Sequence, residues 1–306
     1  MNEKKEKHVA INSISQLHKL VSYGKPEHPL ITLIKYDDMP PMELKNPTSV
    51  ISGFYVIMIK KNMSAKLKYG QKHYDFDEGI MAMMAPGQIL HIDSSDHYGV
   101  TGWLLAFHPD FIRNYPLGRN ISTYGFFSYD VNEALHLSIK EEKMIERIMR
   151  NIRQEYNSSI DQFNQDVMVS QLELLLNYIN RFYNRQFITR KAANNDMPTK
   201  FEGVLHKYFV GEKILQMGLP TVHYLSEQLH ISPNYLSDML RSYTGKGTQQ
   251  HIHDKLIEKA KDALITTTLS VSEIAYTLGF EHPQSFSRLF KTRTNQTPLK
   301  FRSSFN

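Results

Sequence analysis

The chain has 306 residues, a formal charge of +5 and no cysteine. The missing cysteine excludes a disulfide framework, a thiolate metal site and a cysteine nucleophile. No run approaches 18 apolar residues and the lysine-rich start lacks an apolar leader, so no membrane span is expected and a soluble cytoplasmic protein of two domains is.

Met1 to Lys25 is charged and then weakly amphipathic through Ile11, Ile14, Leu17 and Leu20. It predicts a disordered start and one short helix. Pro26, Pro29, Pro40, Pro41 and Pro47 punctuate the next stretch, around a strand at Leu30–Ile34. From Gly53 to Phe107 the pattern changes to short strands: Phe54–Ile59, Ala65–Tyr69, His73–Phe76, Ile80–Met84 and Val100–Phe107. Gly70, Asp77-Glu78-Gly79 and Pro86-Gly87 mark turns between them. Short strands this close together predict a barrel or jelly roll over about 28–112. His73, His91 and His97 form no His-x-His pair, and Glu78 falls in a turn, so no metal site is expected. Met81, Met83 and Met84 read as adaptable core filling. Trp103 reads as core, with a place in a ligand cavity as the alternative.

After Asn132 the pattern is helical, over about 140–184. Glu141–Tyr156 carries Met144, Ile145, Ile148, Met149 and Ile152 on one face, and Asp161–Asn184 is longer and richer. A helix of that length can cover the barrel and pair two subunits as well. Residues 191–200, ending at Pro198, read as a linker. Thr199 with Glu202 fits a capping box opening a helix from Phe201 to about Leu215, broken by Gly218-Leu219-Pro220. The expected division is a sensing and dimerising domain at 1–190 and an all-α domain at 201–306.

The all-α domain contains a repeat with a period of roughly 50 residues. The first copy, about 221–242, runs through Leu225-Ser226, His230-Ile231 and Ser232-Pro233 to Leu236, Met239 and Leu240. The second, about 270–293, runs through Ile274-Ala275, Gly279-Phe280 and His282-Pro283 to Phe286, Leu289 and Phe290, with a one-residue offset in the turn. Each copy has the parts of a helix-turn-helix unit. A small residue permits a close crossing, and Gly279 and His230 sit where a positive φ is needed. Proline opens the second helix at its first position. Ser232 is an N-cap, and Ser270 with Glu273 is a capping box. Gly247–Thr266 reads as a helix joining the copies, with Ile252, Leu256, Ala260, Ala263 and Leu264 on one face. Its length of roughly 30 Å suits two recognition helices in neighbouring major grooves.

These residues resemble the DNA-binding domain of AraC/XylS-type bacterial transcription regulators. The best motifs are Ile274–Phe280, Ser285–Lys291 and Thr297–Arg302. Tyr69-Gly70, Gly79, Pro86-Gly87-Gln88 and Phe107–Phe111 resemble the cupin-like sensor half of that family. The fold class expected is therefore α+β: a cupin-like barrel with helices, then two helix-turn-helix units. The resemblance implies a cytoplasmic, homodimeric regulator binding double-stranded DNA. It leaves room for a small-molecule effector in the N-terminal domain and for contact with RNA polymerase, and implies no cofactor and no catalytic residue. An architectural DNA-binding protein without an effector, and a cupin-type enzyme fused to a DNA-binding domain, are the competing readings.

For DNA, the first recognition helix offers Asn234, Tyr235, Ser237 and Arg241, with Asp238 out of keeping among phosphates. The second offers Gln284, Ser285, Arg288 and Lys291. Gln284 and Arg288, one helical turn apart, suit base edges; Lys291, Lys300 and Arg302 suit phosphates. Gln284 to Asn306 holds five basic residues and no acidic one.

Overall fold

The apolar runs of the N-terminal half are strands in a computed structural model of the chain, which describes residues 7–40, 48–61, 68–69, 72–73, 79–92, 101–130, 133–158, 161–193, 196–210 and 213–305. It divides into two units, Met1–Gln186 and Phe187–Asn306.

In the first unit the strands are β1 (Lys7–Ile11), β2 (Ile31–Lys35), β3 (Thr48–Ser52), β4 (Tyr55–Lys61), β5 (Lys68–Tyr69), β6 (Lys72–His73), β7 (Ile80–Met84), β8 (Ile89–Ile92), β9 (Thr101–Phe107) and β10 (Leu135–His136). They make a three-stranded sheet β1-β3-β8, a five-stranded sheet β10-β7-β4-β9-β2 and the small ladder β5-β6. No closed barrel forms among the described residues. Val50 of the smaller sheet meets Val56, Met58, Met84, Leu104 and Ala106 of the larger one in a shared apolar core. Alternation along each strand puts Trp103, Leu105 and Phe107 on the opposite face.

Several expectations need correction. Residues 7–11 are a strand, not a disordered start, because β1 finds a parallel partner in β3, Val9 beside Val50. That pairing joins segments about 40 residues apart and leaves no local signal. The short helix follows as α1 (Ile14–Leu20), with a Ser13–Gln16 capping box, and its Ile14 plugs the inter-sheet core. β3 and β8 lie where no strand is expected. The expected strands at 65–69 and 73–76 fall largely outside the described residues, as do Glu78 and His97.

Two short helices, α2 (Pro109–Ile112) and α3 (Pro116–Asn120), lead from β9 towards β10. The helix α4 (Ile139–Tyr156) opens with a Ser138–Glu141 capping box and buries Ile145, Ile148, Met149 and Ile152. Each such side chain contributes roughly 1.5–3 kcal/mol on burial. Lys61 of β4 pairs with Glu142 and Glu146 of α4, which holds the helix over the outer face of the larger sheet. Next comes α5 (Asn164–Ala193), preceded by Asp161, whose carboxylate accepts the backbone N–H groups of Phe163 and Asn164 at 2.8 and 2.9 Å.

The second unit holds α6 (Asp196–Val210), α7 (Lys213–Met217), α8 (Val222–Leu229), α9 (Pro233–Thr244), α10 (Thr248–Thr266), α11 (Val271–Thr277), α12 (Pro283–Thr294) and α13 (Pro298–Ser303). The irregular linker expected at 191–200 is helical at both ends. Lys191-Ala192-Ala193 are good helix formers that prolong α5. Pro198 is tolerated because it sits in the first turn of α6, where backbone N–H groups have no partner inside the helix. Thr199 is consequently inside α6, and the expected capping box with Glu202 does not open a helix.

Candidate nucleic-acid interface

Two helix pairs, α8–α9 and α11–α12, are built alike, down to the hydrogen bond that closes each first helix. The first helix of each pair ends in a left-handed residue, His230 (φ 56°) and Gly279 (φ 82°). The next N–H then reaches back five residues, Ile231 to the Ser226 carbonyl and Phe280 to the Ala275 carbonyl, at 3.1 and 3.0 Å. Such a bond closes the helix end and turns the chain sharply. Ser226 and Ala275 are buried there, small enough for the second helix to cross. Pro233 and Pro283 open α9 and α12.

The likeness runs further than the sequence pattern suggests. The hydroxyls of Thr244 and Thr294 donate to the carbonyls of Leu240 and Phe290, at 2.9 and 2.8 Å. They also accept from the N–H groups of Lys246 and Gln296. Left-handed Gly245 and Asn295 end the two second helices. Thus α8-α9-α10 and α11-α12-α13 begin as copies of one three-helix layout. Between them α10 buries Ile252, Leu256, Ala260 and Leu264 and spans about 28 Å at 1.5 Å per residue.

Five expected contact residues project freely from the second copy. Gln284, Ser285, Arg288, Lys291 and Lys300 are exposed. Their side chains make no hydrogen bond or ion pair among the described residues. Phe286 and Phe290 face inward at 1% and 0% exposure and fix which side of α12 faces out. Arg302 departs from expectation. Its Nε donates to the Leu264 carbonyl at 3.0 Å and a terminal nitrogen to the Leu269 carbonyl at 2.7 Å. The guanidinium therefore caps the C-terminal turn of α10 and braces the loop after it, so Arg302 is already engaged within its own unit.

The first copy differs more. Asn234 is exposed and without a side-chain partner among the described residues. Tyr235, expected on the outer face, is 4% exposed and meets the Phe187 ring edge-on at 5.1 Å. Its position on α9 faces inward because Phe187 offers an aromatic wall that the sequence pattern does not reveal. The Ser237 hydroxyl lies 3.0 Å from that of Thr248, and Arg241 pairs with Asp238 one turn earlier.

One unforeseen group joins α12 to α10. Arg293 donates to Nδ1 of His253 at 3.0 Å, and the Gln249 carboxamide nitrogen lies 3.0 Å from the ring's Nε2. Burial lowers the His253 pKa, the Arg293 charge adds to this, and Asp254 opposes it. A histidine depressed in the fold supports stability above its ordinary pKa and loses that support as the pH falls through the lowered one. Wild-type Tm should therefore drop more than that of His253→Gln between about pH 7 and pH 5. Parallel curves for the two proteins would contradict the assignment.

Among the described residues no three His, Asp or Glu side chains converge as metal ligands. No helix among them is long and apolar enough to cross a membrane.

Residues 225–304 match the family described as helix-turn-helix domain. The chain is 30% identical over 82 residues to the uncharacterized HTH-type transcriptional regulator YijO of Escherichia coli, covering 27% of this chain and 29% of that protein. It is 32% identical over 84 residues to the uncharacterized HTH-type transcriptional regulator YobQ of Bacillus subtilis, covering 28% of this chain and 35% of that one. The matched part thus spans about a third of those relatives or less. Among solved structures it resembles the C-terminal domain of the two-component response regulator yesN of Fusobacterium nucleatum, with 31% identity, 35% of this chain, 98% of that chain and a TM-score of 0.31.

Proposed function

From the premise that residues 225–304 form an AraC-type helix-turn-helix domain, we propose that the chain is a sequence-specific DNA-binding transcription regulator whose two helix pairs, α8–α9 and α11–α12, are both helix-turn-helix units. One observation carries this reading: the outward face of α12 presents Gln284, Ser285, Arg288 and Lys291 exposed and without side-chain partners among the described residues. Arg288 pairs with guanine and Gln284 with adenine in the major groove. Lys291 and Lys300 neutralise phosphates, and Asn234 serves the first unit. The reach of α10 sets α9 and α12 into successive major-groove faces, about 34 Å apart along the duplex. Selecting bound sites from random duplex DNA tests the reading. An enriched sequence motif is expected; recovery of unselected DNA would overturn it.

The N-terminal unit is assigned to sensing and dimerisation. On α5, Val167 and Leu174 are exposed at 42% each and lie about 20° apart around the helix, and Phe163, just before it, is exposed at 60%. A second copy of the chain would cover that stripe, and sedimentation as a single-chain mass at micromolar concentration would remove this part of the reading. An effector has a candidate seat outside the sheet sandwich. Trp103, at 4% exposure, borders a cavity of about 650 Å³ between the larger sheet and α4. The two readings of Trp103 meet here, since the ring is at once packed and at a cavity edge. The cations around it are matched by acids: Lys35 by Asp37, Arg153 by Asp38, and Lys61 by Glu142 and Glu146. Trp103 is the single tryptophan, so its fluorescence reports occupancy directly. Indifference of that signal to a broad metabolite panel would favour the effector-free architectural reading.

A further inference from the structure

Laying the two recognition helices over each other by their prolines pairs Asn234 with Gln284, Tyr235 with Ser285, Asp238 with Arg288 and Arg241 with Lys291. The two helices share a backbone plan but not a chemical face. Where α12 carries a free guanidinium, α9 carries a carboxylate. Where α12 carries an exposed serine, α9 carries a buried tyrosine.

Two other polar groups of α9 are engaged within the chain. Arg241 is drawn to Asp238. Its other terminal nitrogen lies 3.1 Å from where a Cβ would stand on residue 247, so the guanidinium rests against backbone that only a glycine leaves bare. The Ser237 hydroxyl bonds to that of Thr248, the first residue of α10. Two side chains expected to meet DNA, Ser237 and Arg241, are therefore occupied at the joint between α9 and α10. On the outer face of α9 the Asp238 charge also opposes phosphate.

We propose that the chain reads DNA sequence through the second unit, and that the first unit is an anchor whose reading head is closed by the Asp238–Arg241 pair. Resting on the DNA-binding reading above, the inference adds which half of the site carries the information. Asp238 is a negative determinant: it holds Arg241 back and keeps the first half-site permissive. Asn234 is the one free carboxamide left on that helix to favour a base.

The test uses the full-length chain and two variants. Sites selected by the wild type should show one strongly specified half and one weakly specified half about one helical turn away. Base changes in the strong half should weaken binding by about 5- to 150-fold, the usual cost of a mismatch, and changes in the weak half by less than about 3-fold. Arg288→Ala should erase preference in the strong half, which assigns that half to α12. Asp238→Asn removes a charge and releases Arg241, so it should tighten binding and create a base preference in the weak half. Two equally specified halves in the wild type would overturn the inference while leaving the DNA-binding reading intact. An Asp238→Asn profile identical to the wild type would overturn the role of the ion pair. No enrichment by any protein would remove the DNA-binding reading itself, and this inference with it.

Discussion

Arg288→Ala is expected to weaken binding to the selected site by about 1–3 kcal/mol and to relax preference at one base position. The size follows from the setting. The guanidinium is exposed and has no intramolecular partner among the described residues, so no described contact is broken when it turns to a guanine edge. Its removal should leave Tm unchanged, because Phe286 and Phe290, not Arg288, hold α12 to the domain. Lys291 supplies the contrast. As a phosphate contact it should lose affinity alike for all sequences when changed to alanine, with the salt slope reduced by about one. An Arg288→Ala protein with an unchanged base profile, or a Lys291→Ala protein with a sequence-selective loss, would undo these assignments.

Gly279→Ala is expected to cost on the order of 2–4 kcal/mol, a large share of the stability of a domain this size. Two costs combine. At φ 82° an L-residue is strained. The added Cβ would also stand 2.9 Å from the Gly218 carbonyl carbon and 3.0 Å from Ile214 Cγ1. The first of these is backbone and cannot swing aside. His230 occupies the same place in the other turn, at φ 56°, but is exposed and has already accepted the left-handed strain. His230→Gly should therefore change stability by less than about 1 kcal/mol, relief of strain offsetting greater freedom in the unfolded chain. Thermal unfolding of both variants checks the pair. A Gly279→Ala protein with wild-type Tm would mean the second turn is looser than its geometry implies.

The contrast between those turns shows what local pattern can reveal. Proline at a helix start, an apolar 3.6-residue stripe and a residue poised for positive φ are properties of adjacent residues, so α8 to α12 are legible in the sequence alone. So are β4, β7 and β9, apolar runs bounded by turn residues. What stayed hidden depends on partners distant in sequence. β1 is a strand because β3 lies beside it. Tyr235 is buried because Phe187 lies against it, 48 positions earlier. Arg302 looks like any exposed cation until the carbonyls of Leu264 and Leu269 come within reach. Only the suspicion over Asp238, an acid among presumed phosphate contacts, foreshadowed the closed face of α9. The linker misled for another reason: Pro198 usually ends helices, but here it stands at the start of one.

Hydroxyl-radical footprinting of the full chain on a selected site is the most direct test of two DNA-contacting units joined by one helix. Each bound chain should shield two patches on the same side of the duplex, their centres about 10–10.5 base pairs apart. A single shielded patch per chain, unchanged when the second helix pair is disabled by Gly279→Ala, would contradict the account.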